Sequence, residues 1–354
     1  MIKVGLVGYG YWGPNLARNL ALSGRFEIAA IADARAARRD DAGRSYPSAL
    51  IVEDAADLLA QENVEAVVIA SPVGTHFRIA REALLRGKHV LVEKPLCTSV
   101  AEGEELVEIA ARVSRVLMVD HTFLFTGAVE KIRESVQAGE LGKICYFDSM
   151  RVNLGLFQED VNCLWDLAPH DLSIIDHIID DEVIAVEVSG YCHVNPTTPD
   201  IVYMTLHYAR DRVAHFNLSW MSPVKIRRFI IGGTRQMLVW DDLDQDEKIR
   251  IYNSGIEFHT QAERALIMPD YRLGDIYSPR VSRKEALSGV VQHFADVICG
   301  LRLSIMDGHA GLKVLRVLEQ AQNALETSQR QVGALRKTFD LKALRKSSPV
   351  SATS

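Results

Sequence analysis

Three side chains could together carry acid–base chemistry: Lys94, Asp166 and His170. Lys94 follows the apolar run His89–Val92, which is typical of a buried strand, and it precedes Pro95. Ligands of open α/β sheets bind at the carboxyl ends of the strands, so an ammonium group there could donate to a hydroxyl and stabilise an alkoxide. A solvated lysine in a turn accounts for the residue equally well.

Asp166 and His170 are four residues apart, so a helix would place both on one face. Histidine is the natural general base near neutral pH, and a nearby carboxylate would orient its ring and raise its basicity. An acidic residue in a first helical turn followed by a core histidine explains the pair without any chemistry. Adding His177 gives a stripe of three possible metal ligands, Asp166/His170/His177, along one helix face. We disfavour a metal site because no further ligands accompany these residues, and we predict no metal.

A glycine-rich stretch near the N-terminus has the pattern G-x-G-x-x-G, formed by Gly8, Gly10 and Gly13. It follows an apolar run, precedes a helical pattern and has an acidic residue, Asp33, 20 positions after Gly13. This context is typical of a dinucleotide-binding unit, in which the glycines permit a tight turn, approach of the pyrophosphate and close helix–strand packing. The N–H groups of the helix would bind the phosphates. A glycine-rich turn in another α/β protein is the disfavoured alternative.

Cofactor choice depends on the side chains that follow the second strand. Asp33 would accept hydrogen bonds from ribose hydroxyls, which favours NAD over NADP. Arg35 and Arg38 lie near enough to meet a 2′-phosphate, so NADP stays open. Further candidate cofactor contacts are Tyr11, Trp12, Ser71, Pro72, His76, Glu93 and Lys94. Further candidate substrate contacts are His121, Arg151 and Trp165, beside Lys94, Asp166 and His170. For His76 and His121, packing inside the protein is an equally good explanation.

The elements that must position these residues change character along the chain. Up to about residue 122, strands alternate with helices, which predicts right-handed crossovers and a doubly wound parallel sheet. From there to about residue 252, strand-like stretches follow one another with few helices, which predicts an antiparallel or mixed sheet. Helical patterns return at 284–298 and 311–328. We therefore predict a dinucleotide domain at 1–122, an α+β substrate domain at 123–340, and a flexible tail at 341–354.

Composition excludes several classes of protein. The chain has 354 residues, 48% hydrophobic and 24% charged, with a formal net charge of −6. An acidic chain does not suit nucleic acid or an anionic membrane, so we expect neither as a partner. No apolar run reaches the roughly 18 residues of a spanning helix, and the first residues do not resemble a signal peptide. The five cysteines show neither metal spacing nor a disulfide framework, which favours a reducing, cytoplasmic setting.

The motifs, taken in order, resemble one known family. They are the opening glycine motif, Ser71-Pro72-Val73-Gly74-Thr75-His76, Glu93-Lys94-Pro95, and Asp166 followed four residues later by His170. Together they resemble the glucose–fructose oxidoreductase / inositol dehydrogenase family, Gfo/Idh/MocA, over nearly the whole chain. The fold class that follows is α/β: an N-terminal Rossmann domain, then a domain with a large, mostly antiparallel, open-faced sheet. The open face commonly joins subunits, which implies a homodimer or homotetramer.

The same resemblance implies a chemistry and gives each residue a role. The family oxidises a ring hydroxyl, or reduces the ketone, with a nicotinamide cofactor, so the partner expected is a small carbohydrate. By motif match, Lys94 would hydrogen-bond the reacting oxygen, His170 would be the acid/base and Asp166 would support it. The sequence departs from the family pattern at Val73, where asparagine is common, and at 122–125, which lacks an arginine often found there.

Within the family, the chain looks like a subgroup that modifies nucleotide sugars at carbon 3 of a hexose. Arg151, Arg227 and Arg228 are candidates for holding a diphosphate, although surface solvation is the simpler interpretation of each. An inositol or sugar-phosphate dehydrogenase is the first alternative. A non-catalytic NAD(P)-sensing regulator is an alternative of another class. A glycosidase or epimerase that uses NAD only transiently is a third.

Overall fold

The computed structural model describes residues 1–155, 157, 161–257 and 270–347. The first sheet has six parallel strands in the order β3-β2-β1-β4-β5-β6, so the order reverses between β1 and β4. These strands are β1 Ile2–Val7, β2 Phe26–Ala32, β3 Leu50–Val52, β4 Ala66–Ile69, β5 His89–Glu93 and β6 Leu117–Asp120. The doubly wound parallel sheet predicted from the alternating pattern is confirmed.

Helices connect these strands and cover the sheet. They are α1 Gly13–Leu22, α2 Ala36–Ser45, α3 Ala55–Leu59, α4 His76–Leu85 and α5 Val100–Arg112. Local chemistry explains where two of them begin. Pro14 stands in the first turn of α1, where its missing N–H costs nothing. Ser99 caps α5, its side chain accepting the Glu102 N–H at 3.3 Å. Because each helix starts directly after a strand, the loops that can bind ligands lie at one edge of the sheet.

The second sheet has eight strands in the order β16-β13-β12-β11-β7-β10-β9-β8, and its only parallel pair within the described part of the chain is β7 with β10. The strands are β7 Ile144–Leu154, β8 Val183–Tyr191, β9 Ile201–Tyr208, β10 Arg212–Ser219, β11 Met221–Gly233, β12 Met237–Asp241, β13 Ile249–Tyr252 and β16 Ile276–Tyr277. A separate two-stranded ribbon pairs β14 Gly255–Glu257 with β15 Asp270–Arg272. The mostly antiparallel second sheet is thus also confirmed.

Side chains along this sheet alternate between a buried and an open face. On β9, Val202, Met204 and Leu206 are fully buried, while Tyr203 between them is exposed. The buried face packs against the helices of this half, which are α6 Gly127–Gln137, α7 Cys163–Ile178, α8 Ala286–Ile298 and α9 Gly308–Ser347. Two 3₁₀ turns, Val73–Thr75 and Thr122–Phe125, complete the described elements. Among the described helices, none covers the other face of this sheet, which agrees with the period-two pattern of its strands.

The long helix α9 returns the chain to the first sheet. Leu312 and Leu315 belong to the hydrophobic core of the N-terminal half, and Asp307 forms a β-bridge with Met118 of β6. Further along, Leu318 and Leu325 join the larger core that the two sheets share. The helix continues through 341–347, where the sequence suggests a flexible tail; residues 348–354 lie outside the described residues. None of the described helices has the length and hydropathy to cross a membrane.

Candidate active site

A cleft of about 1490 Å³ separates the strand ends of the first sheet from the second half of the chain. One wall consists of the glycine loop and the residues that follow β2, β4, β5 and β6. The other wall consists of the first turns of α7 together with β7 and β11. A ligand in this cleft would contact both halves of the molecule, as is usual for sites at the switch point of a doubly wound sheet.

The glycine loop at the end of β1 is shaped by two very close backbone approaches. Gly8 has φ +94°, and a Cβ there would lie 2.6 Å from the carbonyl carbon of Ala70. A Cβ on Gly13 would lie 2.3 Å from the carbonyl oxygen of Gly8. These two positions need glycine for the turn and for the approach of α1 to the strand. Gly10 and the side chains of Tyr11 and Trp12 line the cleft.

The start of α1 and the end of β2 fit the two ends of an adenosine diphosphate. No side chain of the described residues caps α1, so its first N–H groups are available to donate to the oxygens of a pyrophosphate. Asp33 lines the cleft and its carboxylate accepts the Tyr9 N–H at 2.7 Å and the Arg35 N–H at 2.9 Å. Burial raises the pKa of Asp33, but hydrogen bonds from Arg35 and Tyr9 outweigh burial and hold this pKa below its ordinary value. An ionised acceptor therefore stands where a ribose hydroxyl is expected.

Arg35, and not Arg38, is the arginine at this end of the cleft. The Arg35 Nε lies 3.2 Å from Asp33 Oδ1, and the side chain lines the cleft. Arg38 lies on α2, 3.7 Å from Asp41, and is not among the cleft residues. The prediction that Arg38 contacts the cofactor is therefore not supported by its position.

The Ser71-Pro72 turn lines the cleft, whereas His76 lies behind it. The ring nitrogens of His76 are each 2.9 Å from a carbonyl oxygen, Nδ1 from that of Pro95 and Nε2 from that of Ser71. The side chain is 1% exposed. His76 thus ties the loop after β4 to the loop after β5, and it does not face the cleft as a cofactor ligand would.

Lys94 projects from the end of β5 into the centre of the cleft and is held by the first turn of α7. Its Nζ donates to the backbone oxygen of Asp166 at 2.8 Å and to Asp166 Oδ1 at 3.0 Å. The Lys94–Pro95 peptide bond is cis. The other carboxylate oxygen of Asp166 accepts the indole N–H of Trp220 at 3.1 Å. Lys94 is therefore a positioned ammonium group, not a solvated one.

These contacts correct the predicted role of Asp166. The helical spacing does bring Asp166 and His170 to the same cleft, but the carboxylate binds Lys94 and Trp220, and no hydrogen bond joins it to His170. The Nδ1 of His170 is buried and has no partner among the described residues. Asp166 therefore positions the lysine and leaves the imidazole free for another partner.

The surroundings of His170 keep its ring neutral. Burial lowers the pKa of His170 well below its usual value, and the positive charges of Lys94, Arg151 and Arg227 lower it further. The edge of the ring packs on Phe123, with the ring centroids 5.0 Å apart. The expectation that a carboxylate raises the basicity of His170 is wrong for this arrangement, because cations and not anions surround the ring.

The second wall carries two arginines directly opposite each other. Arg151 on β7 and Arg227 on β11 are register partners, and both lie over the ring of Phe123, at 4.7 and 5.9 Å from its centroid. Two like charges in this position repel unless each has a counter-ion. Asp171 binds Arg151 at 3.0 and 2.5 Å, and Asp242 lies 3.4 Å from Arg227. The side chains of Arg151 and Asp171 are 6% and 2% exposed, so the ion pair is buried.

The simpler interpretation of these arginines, surface solvation, is therefore wrong for Arg151, which is buried and lines the cleft. Arg227 also lines the cleft. Arg228 points away, pairs with Asp241 at 3.2 Å and is about half exposed. Lys225, which the sequence analysis did not single out, completes the basic rim of the cleft.

Two other predicted substrate residues lie outside the cleft. Trp165 packs against the hydrophobic cores and donates its indole N–H to Gln322 of α9 at 3.2 Å. His121 is 1% exposed and lines a smaller cavity of about 320 Å³, together with His177. Burial lowers the pKa of His121 to about 4, so this ring is neutral. The stripe Asp166/His170/His177 is divided between two cavities, with the first two residues in the cleft and the third behind it.

Several site residues were missed by the sequence analysis. Asp120 ends β6 beside Glu93, Phe123 contacts His170 and both cleft arginines, and Asp171 neutralises Arg151. A signal for Asp120 existed, because an acidic residue at the end of a buried strand lies where ligands bind. No comparable signal marked Phe123 or Asp171, whose importance depends on pairing across the second sheet.

The fold and this cleft define a class: an oxidoreductase with a Rossmann dinucleotide domain and a polar site facing it. A family model described as the oxidoreductase family GFO_IDH_MocA, NAD-binding Rossmann fold, matches residues 2–121, and the GFO/IDH/MocA C-terminal domain model matches residues 129–239. Both models describe one family, and together they cover more than half of the chain. The chain belongs to the Gfo/Idh/MocA family, and its N-terminal domain is an NAD-binding domain.

Several relatives with stated activities are similar over most of their length. UDP-N-acetylglucosamine 3-dehydrogenase of Acidithiobacillus ferrooxidans is 26% identical over 92% of this chain and 97% of its own. The structure of that enzyme, GnnA, superposes with a TM-score of 0.77 at 24% identity, covering 92% of this chain and 98% of its own. The scyllo-inositol 2-dehydrogenase (NADP+) IolW of Bacillus subtilis is 23% identical over 91% and 93%. The WlbA dehydrogenase of Bordetella pertussis, solved with NADH and UDP-GlcNAcA, gives a TM-score of 0.75 at 17% identity over 92% and 97%.

Proposed function

We propose that the protein is an NAD-dependent dehydrogenase that oxidises a ring hydroxyl of a nucleotide sugar, at carbon 3 of the hexose. The proposal rests on two side chains that line the same cleft: Lys94, an ammonium group held by Asp166, and His170, a neutral imidazole. The other end of this cleft has the glycine loop and Asp33, which fit a dinucleotide. A sensor of the cofactor has no need of the pair formed by Lys94 and His170.

Lys94 acts on the reacting oxygen. An ammonium group has three N–H donors, and two of them are directed to Asp166. The third donor is available for the substrate hydroxyl, and the positive charge stabilises the oxygen as it becomes an alkoxide. Because the carboxylate of Asp166 holds the amine from one side, the position of the lysine is set before substrate binds.

His170 accepts the proton of the hydroxyl. A neutral ring is the form that can act as a base, and the lowered pKa of His170 keeps the ring neutral at physiological pH. The contact with Phe123 limits rotation of the ring. When bound, the nicotinamide ring supplies the hydride acceptor, and the protein contributes orientation and electrostatics.

The basic rim supports a substrate with a diphosphate. Lys225 is exposed, lines the cleft and has no acidic partner among the described residues. It lies where the register of β11 against β7 shifts, between Met221 and Ile226, and such irregularities redirect side chains. Arg227, two residues on, has one acidic partner in the described part of the chain, Asp242 at 3.4 Å. The relatives named for UDP-sugars agree with this assignment.

The substrate is tested with a panel of UDP-sugars, inositols and hexose phosphates, each with NAD and NADP, while nicotinamide absorbance is followed. We expect NADH to accumulate with a UDP-hexose and turnover with NADP to be weaker. Turnover of an inositol alone would support the first alternative, which the relative IolW favours. Conversion of a sugar without net NADH would indicate transient use of the cofactor. No turnover of any member would leave the regulator as the better assignment.

Two adjacent arginines supply a variant and its control to test whether this rim binds a diphosphate. We expect Arg227→Ala to raise the KM for the UDP-sugar by about tenfold, the loss of one charged contact, with kcat changed much less. Arg228→Ala, the adjacent residue that points out of the cleft, should leave KM near wild type. If both variants changed KM equally, the proposal that this rim binds the diphosphate would be wrong.

We also propose that two copies of the chain pair through the open face of the second sheet. Tyr146, Tyr203 and Val213 are exposed on neighbouring strands β7, β9 and β10 of this sheet. Tyrosine is enriched at protein interfaces, and an open sheet face with exposed tyrosines fits a contact between subunits. Light scattering after gel filtration should give a dimer or tetramer, and Tyr203→Asp should shift the species toward the monomer. A wild-type monomer would contradict the proposal.

A further inference from the structure

Two acidic side chains end neighbouring strands at the floor of the cleft. Glu93 is the last residue of β5, Asp120 is the last residue of β6, and the two are register partners. Paired residues of adjacent parallel strands point to the same face, and both side chains line the cleft. We refer to Glu93 and Asp120 as the carboxyl pair.

The hydrogen bonds around the carboxyl pair leave one oxygen of each acid without a donor. Thr122 donates to Asp120 Oδ1 at 2.6 Å, and the N–H of Lys94 lies 3.3 Å from Glu93 Oε2. The remaining oxygens, Glu93 Oε1 and Asp120 Oδ2, are buried and have no donor among the described residues. Two buried carboxylates on neighbouring strands repel each other, and a proton on one of them removes that repulsion and supplies a donor.

Electrostatics agrees that the carboxyl pair holds one proton. Burial raises the pKa of Glu93 well above its ordinary value, and the nearby charge of Asp120 raises it further. Burial also raises the pKa of Asp120, to about 6, although the hydrogen bond from Thr122 lowers it. Near neutral pH the carboxyl pair therefore carries one proton and one negative charge.

The charged groups facing the carboxyl pair are few in the described residues. Lys94 is the cation that acts on both acids, and its Nζ is already bound to Asp166. His121, which follows Asp120, is buried and neutral. A further positive charge placed beside the pair would meet one carboxylate and one acid, and would favour loss of the shared proton.

The carboxyl pair lies on the cleft wall between the glycine loop and Lys94. Trp12, in that loop, lines the cleft together with Asp120, and Glu93 is the residue before Lys94. A dinucleotide with its pyrophosphate on the glycine loop and its reactive ring near Lys94 would extend along this wall. The oxidised nicotinamide ring carries a positive charge and the reduced ring is neutral, so the two forms differ in the charge they bring to the pair.

We propose that the carboxyl pair senses the charge of the nicotinamide: it releases its proton to solvent when NAD+ binds and retains it when NADH binds. The binding step balances as protonated pair plus NAD+ giving ionised pair, bound NAD+ and one free proton, with no electron transferred. The second negative charge stabilises the oxidised cofactor relative to the reduced one. This role lies beyond the proposed substrate and requires only the NAD-binding domain.

The proton count is measured by titration calorimetry of the full-length protein at pH 7. Binding of NAD+ and of NADH is measured separately in two buffers with very different ionisation enthalpies, and the difference in heat gives the protons exchanged. We expect NAD+ to release on the order of half a proton or more and NADH to release almost none. Equal proton release for both forms would overturn the proposal without the need for any variant.

Variants assign the proton to the carboxyl pair. In Glu93→Gln/Asp120→Asn both acids are replaced by groups of similar shape, so NAD+ should release almost no proton. Its Kd should rise by about tenfold relative to that of NADH, the ratio that one pKa unit represents. Glu53→Gln removes an exposed acid from the adenosine end of the same cleft and should keep the wild-type proton release. Wild-type release in the double variant would contradict the proposal.

The outcome is independent of the substrate assignment. If no sugar is turned over but NAD+ alone releases a proton through Glu93 and Asp120, the proposed substrate fails and the carboxyl pair stands. If UDP-sugars are oxidised but the two cofactor forms release equal numbers of protons, the reverse holds.

Discussion

The two walls of the cleft are built in different ways. The wall of the first sheet takes its residues from strand ends, so each functional side chain ends a strand, as Glu93 and Asp120 do, or directly follows one, as Asp33 does. The wall of the second sheet takes its residues from within strands and a helix, so Arg151, Arg227 and Asp171 meet by pairing across the sheet. The first wall gains its charge locally, whereas the second depends on contacts between distant segments.

The comparison teaches that the two walls neutralise their charged side chains in different ways. On the first wall, neighbouring acids share a proton or accept backbone N–H groups, as Asp33 does. On the second wall, the opposed arginines are kept together by a buried aspartate, Asp171, by a partly exposed one, Asp242, and by the ring of Phe123. Removing one charge should therefore affect mainly chemistry on the first wall, whereas removing the buried charge of Arg151 on the second wall should affect mainly folding.

The largest expected effect is on stability, from the second wall. Arg151→Met leaves Asp171 buried at 2% exposure without its cation, which should lower the free energy of unfolding by about 3–5 kcal/mol. Arg228→Met, which breaks an exposed pair on the adjoining strand, should cost no more than about 1 kcal/mol. Denaturant unfolding measures both. A loss below about 1 kcal/mol for Arg151→Met would show that the two walls do not differ in this way.

The next effect is on turnover, from the first wall. Lys94→Ala removes the donor to the reacting oxygen and should lower kcat by at least about a hundredfold. The Kd for NAD+ and the free energy of unfolding should change little, since the lysine makes its polar side-chain contacts with Asp166 alone among the described residues. Steady-state kinetics and calorimetry measure these quantities. Turnover near wild type would end the assignment of Lys94.

The smallest expected effect is on the pH dependence of kcat/KM, which depends on the pKa of His170. Oxidation needs the neutral ring, and the lowered pKa of His170 should keep kcat/KM constant as the pH falls to 6.5, with activity lost only below that value. Arg227→Met removes one of the cations that lower this pKa, so the acid limb should move to higher pH, by less than about one unit. The pH profiles of wild type and variant measure the shift. A shift to lower pH would contradict the account of the second wall.

The first wall was largely predictable from the sequence, because its signals lie within short segments. The glycine motif and Asp33 belong to one strand–helix–strand unit, and Glu93-Lys94-Pro95 directly follows a buried strand. What failed there concerned the direction of side chains. His121 follows Asp120 but turns to the smaller cavity, and Arg38 lies one helical turn beyond the residue that reaches the cleft, Arg35.

The second wall was predictable only where a helix carried the signal. The spacing of Asp166 and His170 placed both in the cleft, but the partners of Asp166 are Lys94 and Trp220, which are 72 and 54 residues away in the chain. Helical spacing identifies a face and not what lies opposite it. The burial of Arg151 depends on Asp171 in a different element, and no local pattern encodes that contact.

The return of α9 to the first sheet constrains how the cleft can open. The chain leaves the first half after β6 and contacts it again through α8, where Asp296 pairs with Arg25, and through the start of α9, where Asp307 bridges to Met118. The helix has 40 residues, about 60 Å of continuous backbone, and contributes leucines to both cores. The two halves are therefore joined at two separate places, the connection after β6 and the helices that return to the first sheet. The easiest motion is rotation about the line through both joints, and sliding of one wall past the other is opposed by the helix.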